Sequence, residues 1–248
     1  MKLLLDVGNT AVKWCLADKG RLTDGERFIH SNTAFDVQAE QAWSGLATPD
    51  EIVVANVAGV GMVDTMTRWV SQKWQQSPQF IEVSKAACGV TNAYKTPGDL
   101  GIDRWAAMVG AHHACSGAVC VVDCGTAITI DTVAASGEHL GGLILPGADL
   151  LQRTLLENTD GTHAHDALQP CVLLATSTAD AVNSGALYLA AAAIDRVVSQ
   201  VRDVAGETLV VLVTGGDAGR IVPLLQITTQ QEPDLVLQGL AILSDGGA

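Results

Sequence analysis

Two phrases close to half a chain apart constrain the fold more than any other feature of this sequence. LLLDVGNTAVKW (Leu3 to Trp14) and CVVDCGTAITID (Cys120 to Asp131) each read as an apolar strand, an aspartate, a glycine-containing turn with a threonine, and a second apolar strand. A phrase repeated at that spacing implies an internal duplication and two related lobes. The expected division runs near Ser116 to Ala118, with a first lobe over 1–116 and a second over 117–248. At 248 residues and 48% hydrophobic content, the chain can give each lobe its own core without disulfides or metal.

Around the two hairpins the pattern alternates strand with helix, which predicts an α/β fold. Asp50 to Val57 reads as a strand, and Met62, Met66, Trp69 and Val70 put helical spacing on Gly61 to Gln75. Phe80 to Val83 is a short strand, and Cys88 to Gly101 is an irregular loop punctuated by Pro97 and Gly98. A helix opens at Ile102 or Asp103 and ends near Ser116, after which Ala118 to Asp123 begins the second hairpin. Glu138 to Ile144 continues that sheet, helix follows over about Ala148 to Glu157, and Asn158 to Gln169 is a polar loop. Ser177 with Asp180 forms a capping pattern ahead of an alanine-rich helix to about Val201. Leu209 to Val213 is a buried strand ending in TGGDA, and Gly239 to Leu243 is a last small apolar segment.

Charge and cysteine usage exclude several function classes. With 14 Lys plus Arg against 27 Asp plus Glu, and no basic stripe, the chain is not built for nucleic acid. Its apolar runs fall short of a membrane span, since Asp6 interrupts the first and Ala186 to Ile194 is brief. Cys15, Cys88, Cys115, Cys120, Cys124 and Cys171 form no CxxC pair and no zinc spacing, so they read as reduced thiols of a cytoplasmic protein. His112-His113 in a helix and His163 with His165 in a loop lack a third ligand at a recognised spacing. Trp14, Trp69 and Trp105 read as core or interface residues.

Three constellations could carry chemistry. In the first hairpin, Asp6 at a strand end can orient Mg²⁺ or its waters, the Gly8-Asn9 turn exposes N–H groups to phosphate, and Thr10 and Lys13 add donors. An ordinary β-hairpin turn accounts for the same residues. Asp123, Gly125, Thr126 and Thr129 repeat the arrangement, and two such hairpins make a clamp for ATP phosphates. Asp131 alternates with Thr129 along its strand and reads equally well as a solvated strand-end carboxylate. Third, Gly101-Ile102-Asp103-Arg104 opens a helix. Asp103 there serves either the helix dipole or an attacking hydroxyl, and Arg104 can grip a carboxylate or phosphate with two prongs. Walker and Rossmann fingerprints are absent from the sequence. TGGDA leaves room for a flat adenosine against the backbone.

Five separated phrases, DVGNTAVKW, YKTPGDLGIDR, DCGTAITID, GGLILPG and TGGDA, together resemble the type III pantothenate kinases. The resemblance implies the acetate and sugar kinase/Hsp70/actin (ASKHA) type of α/β fold, with duplicated ribonuclease-H-like lobes around an ATP cleft, assembled as a homodimer. It implies that Asp6, Val7, Gly8, Asn9, Thr10, Ala11, Val12 and Lys13 bind ATP with Mg²⁺ held at Asp6, directly or through water. It implies further that Asp123 binds a monovalent cation (K⁺ or NH₄⁺) and that Thr126 contacts ATP. Pantothenate would meet Tyr94, Gly101, Ile102, Asp103 and Arg104, with Asp103 as the general base, and Thr178, often from the partner subunit. Family members usually carry Asn before that threonine, where this chain has Ser177. Competing readings are a kinase for another small hydroxylated metabolite on the same fold, and a weakly catalytic nucleotide-binding regulatory protein.

Overall fold

Leu3, Leu4 and Leu5 are all fully buried, so their strand is covered on both faces and lies inside a sheet. In the structure, a computed structural model that describes residues 1–23, 25–30, 34–159, 171–205 and 209–246, this strand is β1 (Lys2–Val7). It pairs antiparallel with β2 (Ala11–Asp18), which also carries β3 (Arg21–Leu22) and β4 (Glu26–Ile29). After α1 (Phe35–Trp43), β5 (Glu51–Asn56) pairs parallel to β1. After α2 (Val60–Trp74), β6 (Gln79–Phe80) pairs parallel to β5, completing the order β3-β2-β1-β5-β6. Leu3, Leu5 and Val7 share one core with α1 and α2, centred on Trp43. The Trp43 ring lies 5.3–6.2 Å from those of Trp14, Phe28, Phe35, Trp69 and Trp74, within the range where aromatic quadrupoles attract.

The stretch expected as an irregular loop from Cys88 holds a small hairpin, β7 (Ala86–Ala87) and β8 (Val90–Thr91). Its two turn residues, Cys88 and Gly89, both have positive φ (48° and 79°), the geometry that closes a tight hairpin without splaying its strands. The strand expected to run to Val83 stops at Phe80. α3 (Ile102–Ala114) follows and buries Trp105 completely.

The chain divides into two compact units, of which the second comprises Gly117–Ala135 and Leu140–Pro233. Here β9 (Val119–Cys124) pairs antiparallel with β10 (Ala127–Val133), and β11 (His139–Pro146) lies beside β10. Next come α4 (Ala148–Glu157) and α5 (Thr178–Ala205). β12 (Val210–Thr214) is parallel to β9, α6 (Ala218–Ile221) is a single turn, and β13 (Gln230–Gln231) is parallel to β12. The order is β11-β10-β9-β12-β13. Cys120, Val122, Cys124, Ile128 and Ile130 pack with Leu187, Ala191, Ile194 and Val198 of α5. Ser177 Oγ accepts the Asp180 N–H at 3.2 Å, so the capping pattern starts α5 where the sequence places it. The polar loop expected over Asn158 to Gln169 lies, beyond its first two residues, outside the described residues.

One expectation is corrected at the C-terminal end. The segment expected as a small apolar piece of the second lobe is a helix, α7 (Leu235–Gly246), and Asp234–Ala248 belongs to the first unit along with Met1–Ser116 and Ser136–His139. The reason is a close helix crossing. A Cβ on Gly239 would lie 1.8 Å from the Ala106 carbonyl oxygen, and one on Gly110 would lie 2.7 Å from that of Leu235. Two glycines therefore let α3 and α7 approach backbone to backbone, and Leu235, Val236 and Leu240 of α7 are buried, as is Trp105 of α3. Among the described residues no helix is long and apolar enough to cross a membrane.

Candidate functional site

In the first unit, the β1–β2 turn is fixed by four backbone-directed bonds. Gly8 N–H donates to the Ala11 carbonyl at 3.0 Å, and Val57 N–H to that of Val7 at 3.0 Å. His30 closes the other side, with its Nε2 donating to the Gly8 carbonyl at 2.8 Å and its backbone N–H to that of Thr10 at 3.0 Å. Asn9 and Thr10 stand exposed at the tip, and Asp6 lies directly across the ladder from Lys13, both half-buried on one face of the hairpin. Val7 and Val12 point into the core, so any role they have toward a ligand is through their backbone. A cavity of about 660 Å³ adjoins the tip, with Asn9, His30, Thr65 and Arg68 in its wall.

A second group in the same unit centres on Tyr94 and the opening of α3. Fully buried Asn92 accepts the Tyr94 N–H through Oδ1 at 2.9 Å, and Lys85 Nζ donates to the Asn92 carbonyl at 2.6 Å. Arg104 is only 6% exposed, an unusual position for a guanidinium. Its Nη1 donates to the Tyr94 hydroxyl at 2.9 Å, and its Cζ stands 5.7 Å from the ring centroid. Asp103 is half-buried, and its Oδ1 accepts the Arg104 N–H at 2.8 Å, close over Gly101. Part of its carboxylate thus serves the first turn of the helix, as the dipole reading requires. Tyr94, Gly101, Asp103 and Arg104 come together here, whereas the Ile102 side chain is buried.

In the second unit, Gly125 N–H donates to the Ala127 carbonyl at 3.1 Å, closing the β9–β10 turn as Gly8 closes β1–β2. Asp123 sits across the ladder from Thr129, and Thr126 is exposed. The TGGDA turn leans on this hairpin: Asp217 N–H donates to the Cys124 carbonyl at 2.9 Å. Gly215 has φ +97°, and a Cβ there would fall 2.5 Å from Asp123 Oδ1. Close approach of backbone to carboxylate is thus one reason for a glycine at that position. Asp131 is 2% exposed, which corrects its reading as a solvated strand-end carboxylate. Thr178 is exposed at the first residue of α5.

Sequence reasoning missed a polar network beside TGGDA. Arg220 Nη1 donates to Asp149 Oδ1 at 2.7 Å and to Asp217 Oδ1 at 3.0 Å, while Nη2 reaches Asn183 Oδ1 at 3.3 Å. Gln152 Nε2 donates to the same Asn183 oxygen at 3.2 Å, so α4, α5 and α6 are tied through one guanidinium. The i,i+3 spacing of Asp217 and Arg220 was a visible signal. His30 carried none.

The described residues form no group of three or more His, Cys, Asp or Glu that could hold a metal ion. His112 and His113 lie in α3 with rings nearly perpendicular, and burial lowers the pKa of His112, helped by its neighbour His113. His163 and His165 lie outside the described residues. The cysteines are free, and burial pushes the thiols of Cys15, Cys120 and Cys124 up to about 12.

Comparison with known proteins bears on these groups. The family model for type III pantothenate kinase matches residues 2–200. The chain belongs to the type III pantothenate kinase family. A type III pantothenate kinase of Nitrosococcus oceani is 41% identical over 97% of this chain and 92% of its own length. One from Nitrosospira multiformis is 37% identical over 98% and 90%. Among solved structures, a Campylobacter jejuni protein described under the Baf family of transcriptional activators covers 98% of both chains with TM-score 0.57 at 21% identity, a likeness of fold alone. The family match spans both hairpins, the Tyr94 loop, the opening of α3 and the start of α5.

Proposed function

We propose that this chain transfers the terminal phosphoryl group of ATP to the hydroxyl of pantothenate, giving 4'-phosphopantothenate and ADP in the first step of coenzyme A biosynthesis, and that it does so in the cytoplasm. The observation that carries this reading is the family match over residues 2–200, a span that includes Asp6 to Lys13, Tyr94, Gly101 to Arg104, Asp123, Thr126 and Thr178. The Asp6 to Lys13 hairpin would hold the β- and γ-phosphates through its turn, with Thr126 as a further contact. Tyr94, Gly101 to Arg104 and Thr178 would receive pantothenate, Arg104 gripping its carboxylate or amide region. Asp103 would take the hydroxyl proton as the oxygen bonds to the γ-phosphorus and the bond to the ADP oxygen breaks.

The donor set suits the ions of this chemistry. Mg²⁺ is held in such sites by one or two carboxylates, completed by water and phosphate oxygens. Single carboxylates at the ends of β1 and β9, Asp6 and Asp123, fit that description for Mg²⁺ and for K⁺ or NH₄⁺ respectively. When bound, these cations neutralise charge on the phosphate oxygens. The matching strand orders of the two sheets support an ASKHA-type duplication of ribonuclease-H-like lobes. Large exposed apolar side chains on β11, α4 and α5, among them Ile144, Leu155 and Leu189, support a homodimer.

The test is ADP formation with Mg-ATP and pantothenate, in K⁺ and again in Na⁺. Pantothenate-dependent turnover, faster in K⁺, supports the reading. No turnover in either salt would move the acceptor to another hydroxylated metabolite.

A further inference from the structure

We infer that His139 is a positioning residue for the acceptor site, acting through Tyr94; this rests on the reading of Tyr94 as a pantothenate contact. His139 is 1% exposed, and its ring stacks on that of Tyr94 with centroids 6.1 Å apart and planes inclined by only 14°. Its Nδ1 accepts the N–H of Ala93, one residue before Tyr94, at 3.4 Å. Tyr94 is therefore held at its hydroxyl by Arg104, at its backbone by Asn92, and across its ring face by His139. The first two holders come from the same stretch of chain as Tyr94. His139 comes from a separate one.

That separate stretch is itself anchored. Ser136–His139 belongs to the first unit, while the chain on either side of it belongs to the second. Thr91 N–H donates to the Gly137 carbonyl at 2.8 Å, and Glu138 forms a parallel bridge with Thr91. Gly137 lies so near the β7–β8 turn that a Cβ there would meet the Gly89 carbonyl. With its neighbours fixed this way, His139 presents a flat, polar ring where packing alone would favour an aliphatic side chain. The flat face is the functional part. Tyr94 must keep its hydroxyl on Arg104, and a parallel aromatic neighbour restricts the ring's tilt in a way that an aliphatic group does not. The Ala93 bond is the lesser hold, because Ala93 is exposed and its N–H can turn to water.

The test compares His139→Phe with His139→Leu, two variants that both fill the site and both lose the nitrogen acceptor. His139→Leu is expected to raise KM for pantothenate about ten-fold, leaving kcat and KM for ATP within about two-fold, while His139→Phe stays within about three-fold of the parent on all three. Added to Tyr94→Ala, His139→Leu should change KM for pantothenate by less than about two-fold. Equal KM values for the two variants, a loss confined to kcat, or full additivity with Tyr94→Ala would each overturn the inference. An unchanged KM in Tyr94→Ala alone would instead overturn the acceptor-site reading, and the role of His139 with it.

Discussion

Replacing Gly239 by alanine should destabilise the first unit severely, although the same change in an open helix is stabilising. The new methyl would lie 1.8 Å from the Ala106 carbonyl oxygen, 2.5 Å from its carbon and 3.0 Å from its Cα, all of them backbone atoms that cannot rotate aside. Restoring an ordinary contact of about 3.4 Å requires α7 to retreat from α3 by roughly 1.5 Å, which opens the packing between the two helices. Overpacking of this kind costs about 1–3 kcal/mol, and where only main chain can yield the cost lies at or just above the top of that range, about 3–4 kcal/mol. Alanine returns about 1 kcal/mol through its helix propensity. The net loss is about 2–3 kcal/mol, or a fall in Tm of roughly 4–12 °C for a chain of this length. Thermal unfolding followed by circular dichroism reads it, with Gly61→Ala as the control. Gly61 lies in the first turn of α2, and a methyl added there would have no atom within 4 Å, so its Tm should hold or rise slightly. A Tm for Gly239→Ala equal to or above the parent would refute the backbone crossing of α3 and α7.

Asp103→Asn should leave ATP affinity by calorimetry unchanged and lower kcat by about 10²–10⁴, while unchanged turnover would remove Asp103 as the base. Gly215→Ala, which presses a methyl toward Asp123 Oδ1 at a φ of +97°, should lower Tm and abolish the advantage of K⁺ over Na⁺ in turnover. Retained K⁺ stimulation would separate Asp123 from the cation. Burial raises the thiols of Cys15, Cys120 and Cys124 from 9.0 to about 12, so between those values the folded chain keeps protons that the unfolded chain releases. Their stabilising contribution is complete below about pH 9 and declines as the pH climbs toward 12. Urea midpoints should therefore fall from about pH 8 to about pH 10, with a shallower slope in Cys120→Ala; a pH-independent midpoint would contradict the buried thiols.

Local features were the legible ones. The two Asp-Gly-Thr hairpins, the Ser177 cap and the opening of α3 at Ile102 all depend on contacts within a few residues, which a single sequence records. The Cys88-Gly89 turn was legible in principle, as a glycine in a two-residue connection, but strands of two residues leave too short an alternation to notice. α7 was hidden for a different reason. Its segment LVLQGLAILSDG carries a glycine in mid-helix that local propensity counts against, and the partner that makes the glycine favourable, α3, lies far away in sequence. His139 was invisible on the same ground, and of the Arg220 network only the i,i+3 pair with Asp217 could be seen, because Asp149 and Asn183 lie on other elements. Asp131 was misread because strand alternation gives a face without saying what covers it.

The place of α7 also sets an order of assembly on the ribosome. The strands of the first unit are made first, but the α3 face that carries Ala106 and Gly110 receives its covering helix only when residues 234–246 have been synthesised. Until then that apolar surface is open to chaperones and to other nascent chains, whereas the segments of the second unit are already complete. The unit begun earliest is thus finished last, and a bulky fusion or a cut near residue 240 would strike the folding of the N-terminal sheet rather than the unit that precedes it in the chain.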